Sequence, residues 1–308
     1  MLEIFYKTLP FFALIAVGYW AGRTKFFSEE ATAYLTKFVF YFALSAMLFR
    51  FSANLSLRDV YDLPFVLAYF WGTAFVYLIA TGVSLIRRLP VEQVAIEAQC
   101  AVIGNVGFLG IPMLALLMGE AAVGPIMLIL AVDLIFFGSL VVILITGSRD
   151  GRVSPAILKT VGLGLIKNPM IVSIVLGFAW SAFAIPIPGP MNEFLSILGG
   201  AATPGALFAI GASLASKSAE RIEVAGWLSF CKLVLHPAAV AFAALMVFQV
   251  DRYAAAVMIA ASALPVAGNV YIIAQHYSVA PQRVSASILI STVISIVTVS
   301  LVISWVAV

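Results

Sequence analysis

Long apolar runs separated by short polar connections make up almost the whole chain. Ten of them read as membrane-crossing helices, at about 4–21, 31–50, 64–86, 93–118, 122–146, 168–186, 190–215, 227–248, 252–275 and 283–306. A spanning helix needs ~20 mostly apolar residues. The run at 5–21 lacks a basic segment before it, so it reads as the first span and not as a cleavable signal. The longest connection, 147–167, holds a mostly apolar stretch at 156–166 with Lys159 and Lys167 beside it, the pattern of a short helix lying in the interface.

Composition supports this reading. Of 308 residues, 63% are hydrophobic and 10% are charged, where a soluble domain carries roughly 45–50% and about 25%. So few charges could not cover a water-facing surface of this size. Disorder, coiled coil, nucleic-acid binding and an ordinary soluble enzyme are excluded, and the lipid bilayer is the partner. Cys100 and Cys231 sit far apart in apolar runs, which is neither a disulfide framework nor a metal-ligand spacing.

Loop charge predicts orientation. The connections on one side carry eleven Lys and Arg, including Arg23, Lys25, Arg87 and Arg283, and those on the other side four. Basic residues concentrate on the cytoplasmic side. An even number of spans then leaves both termini outside the cytoplasm, which suits a multi-pass plasma or bacterial inner membrane protein.

The chain also repeats itself. Gly104-Asn105-Val106 in span 4 recurs as Gly268-Asn269-Val270 in span 9, an offset of 164. Pro10 and Gly18 of span 1 recur as Pro169 and Gly177 of span 6, offset by 159, and spans 2 and 7 match at an offset of 160. Three matches in one order predict two five-span halves. An odd number of spans inverts the second half, and inverted repeats are characteristic of alternating-access transporters.

Span 4 gathers Gly104, Asn105, Gly107, Gly110 and Pro112 at mid-membrane depth, and span 9 gathers Pro265, Gly268 and Asn269. Proline removes an amide donor, and glycine tolerates unwound backbone. A kink in a continuous helix is the plainer reading of span 4 alone. Recurrence in span 9 favours two interrupted helices and a substrate site between them. Half-helix N-termini favour an anion, and the amides of Asn105 and Asn269 both donate and accept.

At these residues the sequence resembles the auxin efflux carrier family of plant auxin exporters and bacterial organic-acid carriers. The resemblance rests on Gly104-Asn105 with Pro112, on Leu264-Pro265 through Ala274-Gln275-His276-Tyr277, and on the stretch at 37–44. It covers nearly the whole chain. It implies a first repeat at 1–146, a cytoplasmic linker at 147–167 and a second repeat at 168–308. It also implies a scaffold of spans 1, 2, 6 and 7, often dimeric, and a moving transport domain of spans 3–5 and 8–10, as in bile-acid symporters and some sodium/proton antiporters. Ser45 stands where the family often has proline and Val270 near where plant members have one, so the interruption of span 9 rests on Pro265, Gly268 and Asn269.

Charge inside a membrane is expensive and usually functional. Asp133, mid-span 5, is a candidate proton carrier, with a structural pairing as the alternative. Glu97 and Gln275 are candidate coupling residues. Lys37 either meets an anionic substrate or snorkels to the headgroups. Lys232 and His236 lie four apart on one face of span 8, and His236 reads as a proton relay or as a packing histidine. The predicted function is secondary transport of small organic anions by an elevator mechanism, proton- or potential-coupled. Substrates would be carboxylates, auxin-like acids among them. A sodium-coupled symporter of the bile-acid type and a non-transporting receptor are the alternatives. No hydrolase, metalloprotease or ATP-binding motif and no cofactor signature is present.

Overall fold

The computed structural model describes residues 2–56, 61–151, 155–215 and 222–306. The loop cations Arg58, Arg152, Lys217 and Arg221 lie outside them. Every regular element among the described residues is helical, because in lipid only a helix or a closed barrel satisfies its own backbone. Seven helices are long and apolar enough to cross a membrane: α1 (Leu2–Arg23), α2 (Glu29–Ala53), α3 (Leu63–Ile86), α6 (Glu120–Asp150), α9 (Gly189–Ala215), α10 (Ile222–Val247) and α13 (Pro281–Val306).

None of the other three expected spans is a single long helix. The span expected at 93–118 is α4 (Val91–Val102) followed by α5 (Val106–Met118). The span expected at 252–275 is α11 (Arg252–Ser262) followed by α12 (Gly268–His276). At 168–186 stands α8 (Pro169–Ala182), bent by 68° from α7 (Pro155–Lys167).

Local chemistry sets the helix starts. Ser28 accepts from the amide of Ala31 ahead of α2, Asn168 from Met170 ahead of α8, and Asp251 from Tyr253 and Ala254 ahead of α11. Such caps satisfy amides that a helix leaves free. Pro169 follows its cap at the first helical position, where its missing amide costs nothing.

Small residues set the packing. A Cβ at Gly18 would strike the backbone of Phe208, and one at Gly211 the backbone of Ile15 and Tyr19, so α1 and α9 meet backbone to backbone. α8 packs along α2, α3 along α4 and α10, and α10 along α13. Several long helices carry wide π-helical turns, among them Val132–Phe137 in α6 and Cys231–Leu235 in α10. Such turns are frequent at functional sites, and these two hold Asp133 and Lys232.

Candidate functional site

The two interruptions meet. Ile103 and Ala267 are extended, with ψ of 111° and 142°. The amide of Asn105 donates to the carbonyl of Pro265 over 2.8 Å, and the amide of Ala267 donates to Ile103 over 3.0 Å. Gly104 and Val266 therefore pair as a single antiparallel bridge. Serine 291 of α13 completes the set, its hydroxyl accepting from the amide of Val266 over 3.1 Å. Backbone that leaves a helix inside a membrane needs partners from protein or water. Here each interruption supplies them to the other.

A cavity of about 20 Å³ lies at this crossing. A water molecule needs roughly 10–15 Å³ by the same kind of measure, so the space suits one water or one small ion. Gly104, Asn105, Asp133, Gly268 and Asn269 line it, with Phe108 and Met170. Asp133 is buried. Its Oδ1 accepts from the hydroxyl of Tyr69 over 2.8 Å, while Oδ2 has no hydrogen-bond partner among the described residues. The side-chain oxygen of Asn269 is likewise unpartnered. A buried acceptor left without a donor carries a desolvation cost, which a proton, cation or ligand donor would relieve.

A second cavity, of about 850 Å³, shares Phe108 and Gly268 with the first. Arg23, Lys25, Glu29, Lys37 and Gln275 lie along it, so cations outnumber anions three to one. Lys37 stands 5.4 Å from the ring centre of Tyr34, and the Gln275 amide donates to Tyr271 over 2.9 Å.

Of the residues singled out in the sequence, six line the small cavity, Gly107 among them, and Lys37, Gln275 and Gly268 line the large one. Pro265 contributes its carbonyl to the crossing. Pro112 opens the regular part of α5 and lines neither cavity. Glu97 is elsewhere. It is 1% exposed, with Oε2 accepting from Ser84 at 2.8 Å and Arg87 at 2.7 Å, and Oε1 from Arg283 at 2.7 Å. Both carboxylate oxygens are thus engaged in tying α3, α4 and α13 together.

Sequence reasoning missed Tyr69, Phe108 and Met170. Tyr69 sits in an apolar run that nothing local marks, whereas Phe108 and Met170 stand directly beside Gly107 and Pro169, which could have pointed to them. Lys232 and His236 were noticed as a pair but not placed. Lys232 Nζ donates to the carbonyl of Ser262 and lies 3.1 Å from His236 Nδ1, while His236 Nε2 meets Thr73 Oγ1 at 3.0 Å.

The chain matches the family described as membrane transport protein over residues 3–303 and belongs to it; this is the auxin efflux carrier family. It is 30% identical over 306 residues to the "Putative malonate transporter" of Rhizobium meliloti (strain 1021), covering 97% of this chain and 95% of the relative. It is 26% identical over 303 residues to the "Uncharacterized transporter YfdV" of Escherichia coli (strain K12), covering 94% and 93%. The protein is a multi-pass membrane transporter and not an enzyme.

Proposed function

We propose that the protein carries small organic anions across the bacterial inner membrane by elevator-type alternating access, with short dicarboxylates its first candidate substrates. The observation that carries this reading is the junction of the two cavities. A vestibule of about 850 Å³ with a cationic excess touches, at Phe108 and Gly268, a site framed by two half-helix N-termini and two asparagines. Field and shape together favour an anion entering and stopping there. The name of the Rhizobium relative adds malonate to the panel.

Arg23 ends α1 and Lys25 follows it, on the side that loop charge assigns to the cytoplasm. On that orientation the vestibule is the inward-open state, and both termini lie outside. The chain divides into inverted halves at 1–146 and 168–308, joined by the interfacial α7. The scaffold is α1, α2, α8 and α9, the surface through which a homodimer would form. The remaining membrane-crossing helices are the moving domain. Asp133 couples transport to protons. Protonating it removes one negative charge beside the anion, so proton and anion strengthen each other's binding, and by linkage the effect is mutual.

Uptake by proteoliposomes tests the reading. Malonate, succinate, a monocarboxylate and an indole acid are offered at two pH values, with and without sodium. Saturable uptake driven by an inward proton gradient and lost in Asn105→Ala is expected. Uptake that follows sodium and ignores pH would favour sodium symport, and no uptake or counterflow of any acid would reject organic-anion transport.

A further inference from the structure

Lys232 is fully buried, yet it lines neither cavity. An ammonium so placed is costly unless well partnered. Its hydrogen-bond partners among the described residues are the carbonyl of Ser262, where α11 ends, and Nδ1 of His236. No carboxylate among the described residues bonds to it. A Cβ added at Gly104 would lie 3.2 Å from both Cε and Nζ. The lysine therefore packs against the backbone of Gly104, and Gly104 lines the crossing cavity.

The charges that meet at the crossing give this placement its meaning. α4 and α11 end there and bring the negative ends of their dipoles, while α5 and α12 begin there and bring positive ends. These contributions offset one another in pairs. Asp133 then adds a buried carboxylate with a free oxygen. A site with that balance alone would favour a cation.

We propose that Lys232 sets the sign of the site. Its ammonium donates to the carbonyl end of α11 and its charge offsets that of Asp133, which removes the bias toward a cation and lets the N-terminal ends of α5 and α12 receive an anion. It acts through the field and through the Gly104 backbone and does not touch the substrate, so it is a positioning residue for charge selectivity. In a poorly polarisable interior such a field reaches further than in water. Glycine at 104 suits the same arrangement, since a Cβ there would press on the ammonium end of Lys232. The inference rests on the anion-transport reading and names the residue that determines its selectivity.

The test compares uptake of malonate and of propionate by proteoliposomes holding wild type, Lys232→Met or Lys232→Gln. The glutamine keeps a donor for Ser262 and loses the charge. Folding is checked by size exclusion and thermal melting, and the glutamine variant carries the test alone if the methionine variant does not fold. The expected result is a KM for malonate raised at least about tenfold, a maximal rate within about threefold of wild type, and a greater loss for the dianion than for the monoanion. An unchanged KM, or a fall in maximal rate alone, overturns the role given to Lys232. So does an equal loss for the two acids, which marks a structural effect. Wild type that transports neither acid rejects the transport reading itself, and this inference with it.

Discussion

Asn105 donates its backbone N–H to the carbonyl of Pro265 over 2.8 Å, joining the interruptions of two helices that lie 160 residues apart in sequence. The asparagine holds the crossing with its main chain. Asn105 also lines the small cavity, and changing its side chain leaves the main-chain bond in place. Support and recognition are thus separable at one residue.

Asn105→Ala and Asn269→Ala should therefore lose transport without losing the fold. We expect kcat/KM for the transported acid to fall at least tenfold, equivalent to about 1.4 kcal/mol, with Tm in detergent almost unchanged. A large fall in Tm together with normal transport by the folded fraction would show that these side chains support structure instead.

Asp133→Asn should uncouple transport from protons. The amide still meets Tyr69, but it has no ionisable oxygen. Counterflow of labelled acid should continue, while accumulation driven by a pH gradient should vanish. Accumulation with wild-type pH dependence would remove Asp133 from the coupling step.

Glu97→Gln should act on stability. Arg87 and Arg283 would lose their shared carboxylate, and breaking a buried ion pair from one side costs roughly 3–5 kcal/mol. Arg87 is partly exposed, at 31% of its side chain, so solvent screening puts the effect at or below the low end of that range. A clear drop in Tm is expected, with KM for the acid preserved in the protein that stays folded. An unchanged Tm with an altered KM would return Glu97 to the transport site.

Gly211→Leu should loosen α1 from α9. The backbone of Ile15 and Tyr19 occupies the space a side chain would need, and overpacking costs typically ~1–3 kcal/mol. Thermal melting should show the loss, whereas Gly226→Leu, where a Cβ meets nothing within 4 Å, should melt like wild type. Equal melting of the two variants would argue against the close contact.

The legibility of this protein differs from feature to feature. The seven long helices could be read directly, because lipid requires every backbone group to be satisfied within its own helix, and apolar length then marks each one. The two interruptions could be read for the same reason. Proline, glycine and asparagine at mid-depth have no other ready use, and they recur at matched places. Asn105, Asn269 and the glycines beside them stand out by that signal, and Asp133 stands out as a carboxylate inside a span. Pro112 was swept in with them, although it opens a regular helix two turns from the crossing strand and touches neither cavity.

Long-range pairing was another matter. Glu97 looked like a coupling carboxylate, since nothing in its own span shows that Arg283, 186 residues away, closes on it. Lys232 looked like one half of an i,i+4 pair with His236, and only the tertiary structure sets it against Gly104 and the end of α11. The sequence by itself determined which segments enter the membrane and where two of them must break, because both follow from local backbone satisfaction in a solvent without hydrogen bonds. Only the tertiary structure decided which buried charges meet and which oxygens stay unpartnered, because those depend on how helices far apart in sequence are turned toward one another.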